Sequence, residues 1–224
     1  MKLQEINEKN IRLTLYQHDA EGGNLINSSL RKLFSSLNDE ANQYEVSIKV
    51  AELNQIYSTA IQYTAPVVDK IVSIVDNQHI KLNEEEYAVL VDDISKVSWV
   101  SNTSGKIHSR NNMSFCSKYI HFLSGYKLPI YDSYIWIVMV GYLNQYYNSK
   151  LSFANPKSYN DFYAVFKEFK KSFDLHSYSN YDIDKYLWQY GKNIIKRIGK
   201  KEQVNLDKAK SILKKRITSV YTKD

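Results

Sequence analysis

Along most of the chain apolar residues return at steps of three and four, the repeat that places side chains on one face of an α-helix. Val46, Val50, Leu53, Tyr57 and Ile61 make one such face. Pro66 suits the first turn of a following helix, where its missing N–H breaks no bond, and Val67, Val68, Ile71, Val72, Ile74 and Val75 predict that this helix is largely buried. Asn83 ahead of Glu84, Glu85 and Glu86 predicts an N-cap with acids in the first turn, and Tyr87, Leu90, Val91 and Ile94 carry that helix toward Trp99. The polar stretch 101–112 interrupts the pattern, contains Gly105, and predicts a loop long enough to suggest function. Further helices are expected over 114–123, from Asp132 or Ser133 as N-cap, and over 159–173, 183–198 and 206–219. Ile183, Leu187, Gly191, Ile194 and Ile198 form the inner stripe of the penultimate helix, with Lys185, Lys192 and Lys196 outside it and Gly199 as its stop. In the last helix Ala209, Ile212, Leu213 and Ile217 face inward, and Lys208, Lys210, Lys214 and Lys215 face solvent. A short alternation over 11–16 predicts a minor β element near the N-terminus. The expected class is all-α: one domain over 1–224, a compact two-lobed helical bundle with lobes over 26–150 and over 1–25 plus 151–224.

A chain of 224 residues can bury a full core without disulfide or metal staples. The single cysteine, Cys116, excludes a disulfide framework and a multi-thiolate metal site, and suits a reducing compartment. His18, His79, His108, His121 and His176 lack metal-ligand spacing, and neither a phosphate-binding Gly-rich loop nor a dinucleotide fingerprint is present. No metal and no cofactor is therefore expected. The longest apolar run, 135–143, falls short of the roughly 20 residues of a membrane span, and the N-terminus lacks the apolar core of a signal peptide. The expectation is a cytoplasmic monomer without a membrane partner.

Charge changes the picture once it is divided along the chain. The net value is +6, but residues 1–100 carry 9 Lys/Arg against 15 Asp/Glu, and residues 101–224 carry 21 against 9. The last 33 residues alone hold 11 basic and 3 acidic side chains. Such asymmetry points to a polyanionic partner, nucleic acid first. Nineteen tyrosines, three tryptophans and eight phenylalanines offer flat surfaces for unstacked bases, although most such rings belong to cores.

The segment Ser-Phe-Cys-Ser-Lys-Tyr-Ile-His-Phe over 114–122 sets Lys118 among apolar residues, and Leu-Pro-Ile-Tyr-Asp-Ser follows over 128–133. Apolar surroundings disfavour the charged amine, as a nucleophilic lysine requires. Asp132 comes fourteen residues later at the mouth of the next helix, and a helix–turn–return could bring the two into one cleft. An amine beside a carboxylate suits attack at a sugar C1′, the carboxylate stabilising positive charge on the ribose ring. The competing readings are a solvated lysine and an Asp132 that only caps a helix, worth about 1 kcal/mol. Arg110, Asn111 and Asn112 precede the Lys118 helix and are candidates for holding a phosphate, or for capping. Trp99, Tyr119, Tyr131 and Trp188 are candidates to stack on an extruded base, with Trp188 equally readable as core. His121 either lines a pocket or is a satisfied core histidine.

The pattern SFCSKYIHF…LPIYDSYI resembles the lysine helix and the Pro–hydrophobic–Asp element of helix–hairpin–helix DNA glycosylases, and within them a bacterial, defence-associated glycosylase-like group. The run from Asp182 through Asp184, Lys185, Tyr186, Leu187, Trp188, Gln189 and Gly191 to Lys192 resembles that group's C-terminal motif, so the resemblance spans 114–192. Gly105 and its polar loop stand where the family hairpin carries Gly-x-Gly. The resemblance implies a partner in double-stranded DNA, excision of a modified base to leave an abasic site, and no cofactor. Lys118 would match the Schiff-base lysine of bifunctional members and Asp132 the shared aspartate, with Trp188 and Lys192 among the DNA-binding residues. It also implies antiviral defence against phage DNA carrying hypermodified, glucosylated hydroxymethylcytosine. The alternative that the residues leave open is a non-catalytic, basic DNA- or RNA-binding helical module.

Overall fold

The computed structural model describes residues 1–75, 82–101 and 103–221; His79 and Asn102 lie outside them. In chain order the described elements are α1 (Glu8–Ala20), α2 (Gly23–Ser36), α3 (Gln43–Tyr57), α4 (Ala65–Ile74), α5 (Glu84–Ser95), β1 (Lys96–Val100) and β2 (Ile107–Asn111). They continue with α6 (Met113–Leu123), α7 (Ser133–Tyr147), α8 (Tyr159–Ser172), α9 (Asn180–Glu202) and α10 (Leu206–Tyr221). The protein is thus mostly helical with a minor β element. Among the described residues no helix is long and apolar enough to cross a membrane.

The chain divides into two compact units, one of residues 1–24, 132–157 and 161–224, the other of residues 25–131 and 158–160. The boundary after Tyr131 assigns 132–150 to the first unit, whereas the sequence pattern had grouped that stretch with 26–131. Charge follows this division: the first unit has 20 Lys/Arg against 13 Asp/Glu, the second 10 against 11.

In the first unit the stretch 11–16 is helical rather than a strand. Asn7 caps α1 by accepting the Asn10 N–H at 2.9 Å, and Ile11 and His18 fall on its buried side. Helix α7 is buried along nearly its whole length, from Ile135 to Asn144. The inner stripe of α9 (Ile183, Leu187, Ile194, Ile198) and that of α10 (Ala209, Leu213, Ile217) pack in the same core. Burial of each leucine or isoleucine among them contributes about 1.5–3 kcal/mol. Gly191 permits the closest approach of α7 and α9, since a Cβ there would lie 3.0 Å from that of Tyr134. Helix α9 does not stop at Gly199; it continues to Glu202, and Gln203, at φ 52°, ends it by returning its N–H to the Gly199 carbonyl. Lys185 is buried rather than outside the stripe.

In the second unit α3 buries Val46, Val50 and Leu53 completely, while Ile61 lies beyond the helix, which ends where Ser58 turns left-handed. Asn83 is the N-cap of α5, as expected, and the structure adds a capping box: Asn83 accepts the Glu86 N–H and the Glu86 carboxylate accepts the Asn83 N–H. The helix ends at Ser95, and the chain runs directly into β1. Strands β1 and β2 pair antiparallel, Lys96 opposite Asn111 and Val100 opposite Ile107. The expected loop over 101–112 is therefore a hairpin whose return strand is exposed at every residue.

Candidate functional site

Helix α6 is apolar enough to be buried on almost every side, and Lys118 lies 4 % exposed within it. Its amine donates to the Ser114 carbonyl and to Ser114 Oγ, both at 2.9 Å, and sits 5.3 Å from the centre of the Tyr57 ring. A buried ammonium needs such acceptors and a π-face to offset its lost hydration. One residue earlier, Ser117 Oγ accepts the backbone N–H of Tyr131 at 3.0 Å. Tyr131 is buried and is the last residue of its unit before the chain passes to Asp132. The residues immediately preceding Lys118 and Asp132 are therefore hydrogen-bonded to each other.

The neighbours of Lys118 on α6 serve the core. Tyr119 is fully buried, with Phe34 edge-on at 5.1 Å, and its phenol donates to Glu40, which also pairs with the fully buried Lys49. Lys49 donates further to the Leu37 carbonyl at 3.2 Å. Burial, and then the Glu40 charge and hydrogen bond, push the Tyr119 phenol well above its usual range. Tyr119 is thus held as part of a buried ionic network, not presented as a stacking surface. His121 is also fully enclosed; its Nδ1–H donates to the Leu128 carbonyl at 2.5 Å and its ring lies 4.9 Å from that of Tyr126. Burial, helped by the Lys118 charge, lowers its pKa to about 4, so it is a neutral core histidine. Burial likewise raises the Cys116 thiol far above its ordinary value, which removes it as a nucleophile.

Asp132 in the first unit is half-buried and is the N-cap of α7, accepting the Tyr134 N–H at 2.7 Å. A carboxylate held by one backbone donor keeps three of its four lone-pair positions for other partners. Lys118 and Asp132 belong to different units, and each is fixed by its own.

The three residues expected to hold a phosphate separate in role. Asn111 Oδ1 accepts the Met113 N–H at 3.0 Å, a capping contact. Asn112 is buried and donates its backbone N–H to Ser95 at 2.8 Å. Arg110 is exposed and reaches the carbonyls of Ala60 (2.9 Å) and Thr59 (3.4 Å). The loop it grips carries Ser58 and Ala60 at φ 47° and 56°, a left-handed conformation that costs about 1–2 kcal/mol at each non-glycine residue. Asn54 offsets part of that cost, its side chain bonding both the N–H and the carbonyl of Ile61. Arg110 and Asn112 then line an open cleft of about 470 Å³ with Tyr63, Trp99 and His108. Trp99 stacks on its cross-strand partner His108, centroids 5.5 Å apart, and meets the edge of Tyr63 at 6.2 Å. Tyr63 and His108 are the members that sequence reasoning missed. The cross-strand register would have found His108 had the hairpin been recognised, and no sequence signal pairs Tyr63 with Trp99.

The remaining candidates lie in the first unit. Trp188 is half-buried, edge-on to His18 at 6.0 Å, with the Lys192 amine 4.6 Å from its ring centre. Lys192 pairs with Glu21 at 2.6 Å, and its hydrogen bond, with its charge, holds the Glu21 carboxyl below the usual range. Beside them Lys185, over the Tyr181 ring at 4.4 Å, lies 3.4 Å from Asp19. The motif of 182–192 thus ties α1 to α9. Exposed Lys196, Arg197, Lys200 and Lys201 on α9, with Lys208 and Lys215 on α10, form the basic surface of this unit. Among the described residues no group of three His, Cys, Asp or Glu side chains is placed to hold a metal ion.

A family model described as HI_0787_N, an N-terminal domain, matches residues 6–127, more than half of the chain. The chain belongs to this family of HI_0787 N-terminal domains. The matched region carries Lys118 and the hairpin cleft and ends just before Asp132. No curated protein and no solved structure matches the chain.

Proposed function

We propose that this chain is a DNA glycosylase that extrudes a modified base and cleaves its N-glycosidic bond, leaving an abasic site. The observation that carries the reading is Asp132, half-buried at the N-cap of α7 with a single backbone donor on its carboxylate, which leaves that carboxylate able to face a developing positive charge. In this reaction the C1′–N bond breaks with its electron pair leaving on the base. Asp132 stabilises the oxocarbenium character that develops on the sugar, and water or the Lys118 amine then adds to C1′. Addition by the amine, after loss of its proton, gives a C1′ aminal; the C1′–O4′ bond then opens, O4′ taking the electron pair and a proton, and leaves a Schiff base that borohydride reduces to a stable adduct. The exposed lysines of α9 and α10 supply sequence-independent attraction for the DNA backbone. We further propose double-stranded DNA, with hypermodified phage cytosine among the candidate substrates, as the target in a cytoplasmic, antiviral setting.

The test is abasic-site formation on duplexes carrying oxidised, alkylated, deaminated or glucosylated-hydroxymethylated bases. Asp132→Asn should abolish release from the base that the wild type removes, and Lys118→Gln should abolish any borohydride-trapped adduct. Salt-sensitive DNA binding without product on any duplex would favour the alternative of a non-catalytic binding module.

A further inference from the structure

We infer that the cleft of the β1–β2 hairpin binds an unpaired nucleobase together with its phosphate, as a site separate from the chemistry proposed above. Its volume, about 470 Å³, lies within the range of roughly 300–1,000 Å³ typical of small-ligand sites. Its wall sets flat rings beside the aliphatic side chains of Ile61, Val67, Val97 and Val100: Trp99 is half-buried against His108, and Tyr63, 49 % exposed, stands edge-on beside it. Such a platform accepts the π-face of any base.

The charge of the wall is as selective as its shape. The second unit carries slightly more acidic than basic residues, yet the cleft is lined by one arginine, one histidine and no carboxylate. Arg110 is held in place by the Thr59 and Ala60 carbonyls, and a guanidinium carries five N–H donors, more than those two contacts consume. Ser101 and Thr103, whose hydroxyls lie 3.0 Å apart, add neutral polar groups at the rim. Flat rings beside a fixed guanidinium suit a planar ligand with an attached anion, which is a nucleotide. The tip next to it exposes Val100 (58 %) and Ile107 (78 %) as a cross-strand pair, apolar side chains that suit contact with unstacked bases.

The test uses the full chain and octathymidylate, whose bases are unpaired, in a fluorescence-anisotropy titration at low salt. Trp99→Ala should weaken binding roughly 5- to 150-fold, the loss that accompanies one base–aromatic stack. Trp99→Phe, which keeps a ring, should stay within about threefold of wild type. Arg110→Gln should reduce the slope of log affinity against log salt by about 0.7, the share of one phosphate contact on a single strand. That slope also decides the matter if Trp99→Ala fails to fold, because a purely structural arginine would leave it unchanged. A folded Trp99→Ala protein that binds as wild type would overturn the inference, as would an unchanged slope in Arg110→Gln. An equal Trp99→Ala loss on a fully paired blunt duplex would overturn it too. No bond is cleaved in this assay, so its outcome is independent of base release.

Discussion

His121 gives the second unit a specific sensitivity to acid. Fully buried between the Leu128 carbonyl and the Tyr126 ring, it takes up a proton in the folded protein only near pH 4, against an ordinary value of 6.5. Between those values the unfolded chain holds the extra proton, so lowering the pH favours unfolding. The neutral ring's contribution is complete above pH 6.5 and is lost as the pH falls toward 4. A difference of this size corresponds to about 3 kcal/mol in all, of which about 2 kcal/mol is lost between pH 7 and pH 5. Burial also lowers His18, in the first unit, so the slope of the wild type alone does not isolate His121. The comparison that does is urea unfolding of wild type and His121→Gln at pH 7 and pH 5, followed by circular dichroism. The gap between the two proteins should narrow by about 2 kcal/mol on acidification, because glutamine has no proton to take up. A constant gap would show that His121 is accessible to water or already charged in the fold, and would refute the argument.

Three further outcomes follow from individual contacts. Lys49→Met leaves the Glu40 carboxylate buried without its ammonium and should cost about 3–5 kcal/mol, while adding Glu40→Gln should recover more than half of that loss in the same urea assay. Gly23→Ala would drive a methyl group into the His18 ring, 2.0 Å from its Cε1, and thermal melts should show a loss of about 1–3 kcal/mol. Cys116 should resist a thiol reagent in the folded protein and react fully once urea unfolds it, since its thiol is both buried and held far from ionisation.

Helices were legible wherever an apolar stripe and a cap coincided. Asn83 with Glu86, and Asp132 ahead of Tyr134, mark helix starts that the structure places at the same residues. The hairpin escaped notice for two reasons. β1 follows α5 without a break, so Val97 and Trp99 read as a continuation of its helical stripe, and β2 has no buried face to give a period of two. Gly199 looked like a stop because glycine favours the left-handed cap, but the chain makes that turn four residues later at Gln203. Lys185 read as solvent-facing, since periodicity assigns a charge to the wet side unless a partner is known; Asp19 and Tyr181 supply its partners here. The Glu40–Lys49–Tyr119 network had no signature at all. Its members lie 9 and 79 positions from Glu40, and only tertiary packing joins them. Of the candidate site, Lys118 and Asp132 could be singled out from sequence, and the hydrogen bond between their preceding residues could not.

The most direct test of the central claim is base release by Asp132→Asn set beside wild type on the duplex that the wild type cleaves. Asparagine caps a helix about as well as aspartate, so this change removes the charge while keeping the Tyr134 N–H contact that starts α7. The account predicts an intact fold, duplex affinity within a few-fold of wild type, and loss of abasic product. Release at the wild-type rate by the folded variant would contradict it.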